Sequence, residues 1–224
     1  MASETRLTTS AIRAVFEDEV ANLKGKVADT FADEGRYFAR SILPRTRKVG
    51  PGDAVQGGVA ILGGAREVQV HPYVFRRVCR NGAIMACSLQ TRRIEHVETR
   101  DPEEVLVALR EAVRVCAAPE VFAHSAQRMR STRETDADLV LSLLPHLSKG
   151  RGIRGFMSEL LRRLLREEDH LSAFGVMNAV TALARDTRDP QKRWDLEELG
   201  GAIAMTVQTP RPSPLTTARR LVRV

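Results

Sequence analysis

Hydrophobic positions change period several times along the chain, and each change marks an element. Ile12, Val15, Phe16, Val20 and Leu23 recur at three and four. This predicts an amphipathic helix, capped by Thr8 or Ser10 and running to about Lys24. Val27 and Phe31 keep the spacing past Gly25, so a continued helix is expected there. Val59, Ile61 and Leu62 precede Gly63-Gly64, and Val68 and Val70 follow with polar alternation. That pattern predicts a hairpin over residues 55–70. Pro72 is placed to open a short helix that carries Arg76, Arg77 and Arg80 and stops at Asn81-Gly82. Ala83 to Ser88 then reads as a buried strand, followed by Gln90 to Val97.

The second half changes to helical spacing throughout. Asp101-Pro102-Glu103-Glu104 is a strong helix start, with Val105, Leu106, Leu109, Val113 and Cys116 on one face. Pro119 opens another helix through Val121, Phe122, Ser125 and Met129, and Thr135 or Asp136 caps the next, with Pro145 near its end. Lys149 to Gly155 is a glycine-rich basic break. Leu160, Leu161, Leu164 and Leu165 are expected to face inward and Arg162, Arg163 and Arg166 outward. A turn at Asp169 to Ser172 leads into a helix around Asn178, Asp189-Pro190 ends it, and Trp194 leads a last helix from Leu196 to about Met205. The expected class is α+β: a small mixed β-sheet over roughly residues 50–98, crossed by the short arginine helix, then a helical C-terminal half. The divisions are 1–50, an N-terminal helix and basic segment; 51–148, an α+β core; 149–208, a helical part packed on it; and 209–224, a basic tail.

Composition narrows the class of partner. At 43% hydrophobic and 28% charged, the chain describes a soluble globular protein, and it has no apolar run long enough to span a bilayer. Met1 to Arg13 lacks the apolar core of a signal peptide, so a cytoplasmic protein is expected. The net charge is +7, and of 35 basic residues five are lysine and 30 arginine. Codon bias in a GC-rich genome is one cause of so much arginine; phosphate binding by its planar fork is the other. The positive balance itself favours polyanionic partners.

Three basic stretches carry the candidate site. Gly35 to Gly52 holds no acid, and Arg45, Arg47 and Lys48 follow Tyr37 and Phe38. Cations interleaved with aromatic rings suit a single strand, whose phosphates meet the charges while its bases stack. A loop with both rings tucked into the core is the plainer reading. Arg76, Arg77 and Arg80 form the second group, and Arg92 and Arg93 the third. Pairing of these arginines with Glu67, Glu95 or Glu98 is the alternative. The helices before and after residue 170 invite a helix-turn-helix reading. The second of them, however, is dominated by Ala173, Phe174, Val176, Met177, Val180 and Leu183, which suit burial.

Chemistry is sparse. The five histidines fall in no metal-binding spacing, and neither a phosphate-loop motif nor Gly-x-Ser-x-Gly is present. Three cysteines without Cys-x-x-Cys spacing argue against a disulfide framework or a zinc site. Cys79 reads as a packed small residue. A binding protein is expected, not an enzyme, with no cofactor, metal or small-molecule substrate.

The stretch Val74 to Met85 resembles the Arg-x-x-Cys-x-Asn-Gly signature of a phage- and plasmid-associated family known only as a domain of unknown function. Ser172 to Asp186, followed by Trp194 and Gly200-Gly201, is similar to the same family's Asn-Ala-x-Thr segment. The resemblance covers roughly residues 52–204. It departs upstream, where Gly63 to Pro72 stands in place of the family's Asn-Ser-Asp/Glu-x-Gly segment. By fold-level analogy that family resembles phage single-strand annealing proteins. The resemblance implies a recombination-type protein that binds single-stranded DNA and anneals strands as a homo-oligomer. The competing expectations are an assembly protein with its arginines in subunit contacts, and a duplex-binding regulator using Arg154 to Arg166.

Overall fold

The computed structural model describes residues 7–32, 35–86, 88–149, 156–167 and 172–207. Helix α1 (Thr9–Asn22) is capped by Thr8, which accepts from the Ala11 N–H, and it buries Ile12, Val15, Phe16 and Val20. It stops at Lys24, which takes a left-handed φ of 58°. Val27 and Phe31 therefore lie not on a continued helix but on strand β1 (Lys26–Ala32). A spacing of four fits a period of two as well as one of 3.6, so these two residues alone do not separate the cases.

Strands β2 (Arg36–Ile42), β3 (Thr46–Gly50), β4 (Asp53–Gly64), β5 (Glu67–Arg76), β6 (Asn81–Ile84) and β7 (Arg92–Glu95) complete the sheet. The long β4–β5 hairpin is its spine, running from Val55 opposite Arg76 to Gly63 opposite Val68. β2 and β3 pair in series with β4, β6 and β7 pair in series with β5, and β1 lies outside β2. The class is α+β, with a helix before the sheet and helices after it. Two expectations need correction. The sheet is antiparallel in every pairing, because short turns join its strands and no crossover connection is needed to make a parallel pair. The crossing arginine helix does not form. Tyr73 to Arg76 is the end of β5, held between Val55–Gly58 on one side and Asn81–Ile84 on the other, and Arg77 to Arg80 is a turn. Aromatic and β-branched residues fit that central strand position. Pro72 lies between the β6 and β7 pairings, where a missing N–H costs least.

Helices α2 (Pro102–Cys116) and α3 (Pro119–Ser131) begin at the prolines that predict them. After them come α4 (Ala137–Leu147), α5 (Met157–Glu167), α6 (Ala173–Asp186) and α7 (Pro190–Thr206). Asp189-Pro190 starts α7: Asp189 accepts from the Lys192 N–H and Pro190 fills the first turn. On α5, Leu160 and Leu164 are buried, while Leu161 and Leu165 are exposed. The two faces of the sheet have different covers. Tyr37, Val59, Ile61 and Val70 pack with Phe16 of α1 and Leu109 and Val113 of α2. On the opposite face Phe38, Ala60 and Tyr73 pack against Trp194 of α7. A third cluster joins Val55, Val74 and Met85 to Phe122, Leu144, Leu160, Met177 and Leu199, so the helical half packs on the sheet. α7 rides directly on β6, since a Cβ on Gly201 would lie 1.9 Å from the Ile84 carbonyl oxygen. The basic break, apart from Lys149, the turn at residues 169–171 and the tail 209–224 lie outside the described residues. Among the described residues, no helix is long and apolar enough to cross a membrane.

Candidate nucleic-acid interface

Because Tyr73 to Arg80 is a strand and a turn, successive arginines point in different directions. Arg76 shares the face of Val74 and goes inward. Its Nε donates to both oxygens of Asp53 at 2.9 Å, and its Nη1 donates to Asn178 Oδ1 at 2.6 Å. Arg133 reaches the same carboxylate, and both guanidiniums lie over the Phe174 ring, at 4.8 Å and 3.7 Å from its centroid. Asn81 donates to Asn178 Oδ1 at 3.0 Å and to Thr181 Oγ1 at 2.8 Å. Asn178 thus binds side chains of β5 and β6. Gly82 leaves room for Tyr73, whose hydroxyl would stand 2.1 Å from a Cβ there. The Arg-x-x-Cys-x-Asn-Gly and Asn-Ala-x-Thr stretches are joined by this buried network, which locks α6 to the sheet.

Arg77 and Arg80 point elsewhere. They line a cleft of about 760 Å³ together with Lys26, Asp29, Arg40, Gln56, Tyr73, Phe75 and Arg193. Its floor is the part of the Tyr73–Phe75 face that α7 leaves open. β1 forms one wall, and the β5–β6 turn and the start of α7 form others. A bulge between Val27 and Asp29 puts both Lys26 and Asp29 on the cleft side, opposite Ile42 and Arg40 respectively. Arg40 is only 3% exposed; its Nε donates to Glu197 and its Nη1 to Asp29 at 3.4 Å. Arg193 contacts the same two acids, Asp29 at 2.6 Å and Glu197 at 3.3 Å. Burial works against the Arg40 charge, but Glu197, Tyr73 and Asp29 together outweigh it and hold the guanidinium above its usual range. Burial likewise pushes the Glu197 carboxyl above its usual range, against the pull of Arg40 and Arg193. Burial also raises the Tyr73 phenol, so it stays protonated as a donor. Among the described residues, Lys26, Arg77 and Arg80 have no side-chain ion pair or hydrogen bond.

The remaining candidates are scattered. Arg45 Nη1 donates to the carbonyl of Ala117, the C-cap of α2, and so serves the fold. Tyr37 and Phe38, expected to offer stacking faces, are fully buried, Tyr37 against Phe16 and Phe38 against Trp194. Arg47 and Lys48 line a second groove of about 620 Å³ with Arg130 and His124, where Glu120 and Glu134 stand among the cations. Arg92 and Arg93 are exposed on β7. There Arg92 donates to the Leu89 and Thr91 carbonyls, and Arg93 Nε lies 3.4 Å from Glu67. β7 pairs with β5 at Val70, six residues before Arg76. At strand rise that is roughly 20 Å, so Arg92 and Arg93 do not join Arg77 and Arg80 in one groove.

Sequence reasoning missed Lys26, Asp29, Tyr73, Phe75 and Arg193 as cleft residues, and it placed Arg40 only within a basic segment. A strand reading of residues 73–76 would have separated Arg76 from Arg77; nothing local marks Arg193. α6 is buried along almost its whole length and presents no base-reading face. Among the described residues, no group of three His, Cys, Asp or Glu side chains suits a metal ion. Comparison with family models, with curated proteins and with solved structures gives no match.

Proposed function

We propose that this protein binds single-stranded nucleic acid, DNA in first place, through the cleft on the open sheet face. One observation carries the reading: Lys26, Arg77 and Arg80 surround a cleft floored by Tyr73 and Phe75, with no counter-charge of their own. Cations track a phosphate backbone, and the half-buried Phe75 ring offers a stacking face. An open cleft of this size admits a flexible strand more readily than a rigid duplex. The contacts needed are to phosphate, so sequence-independent binding follows. The test compares affinities for one sequence as single-stranded DNA, as duplex and as RNA, each at two salt concentrations. Single-stranded DNA binding tightest, with a steep salt response, supports the reading; a duplex preference refutes it.

Strand annealing by a homo-oligomer is the fuller form of this proposal. Met157, Leu161 and Leu165 repeat at four on α5 and are exposed, Leu165 by 77%. They make a continuous apolar stripe on one helix face. A second copy of this chain is the proposed cover. Light scattering on the wild type and on Leu161→Glu/Leu165→Glu measures it: an oligomer that becomes a monomer is expected. A monomeric wild type removes annealing by assembly and leaves strand binding.

A further inference from the structure

The cleft is built more specifically than a basic surface requires. Arg40 and Arg193 share Asp29 and Glu197, so two guanidiniums and two carboxylates form a charge-balanced set beneath the cleft. One donor in that set is left over. Arg40 Nη2 is buried without a hydrogen-bond partner, while Arg40 itself lines the cleft. An unmet charged donor in the interior is costly, and the cost falls when an acceptor arrives. Above it stand Lys26, Arg77 and Arg80, three cations that repel one another when the cleft is empty. Arg80 also holds a left-handed φ of 52°, a conformation suited to glycine. A side chain kept where glycine fits better, in a cleft that Arg40 also lines, marks a site shaped for a ligand.

The charge of the site indicates which ligand. A backbone phosphodiester carries one negative charge, whereas a terminal phosphate carries nearly two at neutral pH and offers three acceptor oxygens. Three free cations and the spare Arg40 Nη2 group match the second better. We infer that the cleft seats a phosphomonoester, belonging either to the end of a strand or to a free nucleotide, with its sugar and base toward Phe75. This rests on the proposed strand-binding reading for its first source only. Arg40 supplies the buried donor, and Lys26, Arg77 and Arg80 supply the compensating charge.

Fluorescence anisotropy with 12-nucleotide strands of one sequence tests this, with ends 5′-phosphorylated, 3′-phosphorylated or hydroxyl. A nucleoside monophosphate serves as competitor. One phosphorylated end is expected to bind at least tenfold tighter than the hydroxyl strand, and the monophosphate is expected to compete. Arg40→Lys removes Nη2 but alters a buried site, so Arg80→Gly is made beside it. Glycine fits the backbone there, and the variant should remain folded while the end preference falls towards unity. Equal affinity for all three strands overturns the seat and leaves the strand-binding reading intact. Binding of the monophosphate with no strand binding at all overturns strand binding and keeps the seat. Failure of every ligand overturns both.

Discussion

Asp53→Asn removes a buried carboxylate that Arg76 and Arg133 share. Asp53 is buried, Arg76 is 13% exposed and Arg133 is 31% exposed. The Arg76 pair is a buried one, and breaking such a pair costs about 3–5 kcal/mol, because the remaining charge stays uncompensated. The Arg133 contact is nearly a third exposed and adds no more than about 1 kcal/mol. A loss of 3–5 kcal/mol lowers the melting temperature of a chain this size by roughly 6–20 °C. Asn178 still accepts from Arg76 and Phe174 still underlies both guanidiniums, which favours the lower end. The charge explanation is separable from lost packing. Asp53→Asn/Arg76→Met removes both buried charges and should recover at least about 1 kcal/mol relative to the sum of the single variants. Urea denaturation of the four proteins reads this directly. An Asp53→Asn variant within about 1 kcal/mol of wild type would refute the buried-pair account of Arg76.

Burial pushes the His71 imidazole down to about 4, with Arg93 acting in the same direction. Glu198, 3.8 Å away, is engaged by the Trp194 indole N–H at 2.9 Å and does not offset this. The folded state binds fewer protons there than the unfolded one. The stability is full above about pH 6.5 and is lost as pH falls towards 4, on the order of 3 kcal/mol in all; an imidazole still neutral by NMR at pH 5 is the expected result. Gly201→Ala should prevent native packing of α7, because its Cβ would meet the Ile84 carbonyl backbone; a circular-dichroism melt as cooperative as wild type would contradict this. Cys116 is buried and its thiol is pushed up to about 12 by burial, so it should resist iodoacetamide in the native state while half-buried Cys79 reacts, as read by mass spectrometry.

Much of the fold was legible because helix starts carry local chemistry. Asp101-Pro102 and Pro119 each act within one turn, so sequence placed the starts of α2 and α3 closely. Asp189-Pro190 was read as a stop because the same pair both excludes a continuing helix and opens the next. The sheet was harder. The spacing of Val27 and Phe31 is compatible with either period, and the bulge after Val27 that puts them on opposite faces of β1 has no local sign; Tyr73 to Arg76 is fixed as strand by partners on β4 and β6. The candidate site was least legible. Arg40 and Glu197 stand 157 positions apart, and only the crossing of α7 over the sheet joins them. Of the arginine trio, charge alone gave no means of telling Arg76, which serves the interior, from Arg77 and Arg80. That division depends on strand alternation.

The salt dependence of single-stranded DNA affinity in Arg77→Ala/Arg80→Ala tests the cleft most directly. Both side chains are exposed and unpaired among the described residues, so the melting temperature should stay within about 2 °C of wild type. If each contacts a phosphate, the slope of log K against log salt should shrink by about 0.7 per contact, or roughly 1.4 in all. The matched control is Arg47→Ala/Lys48→Ala, across the separate groove, which should leave the slope near that of wild type. A slope unchanged in Arg77→Ala/Arg80→Ala, in a protein that melts like wild type, would contradict phosphate binding in the cleft.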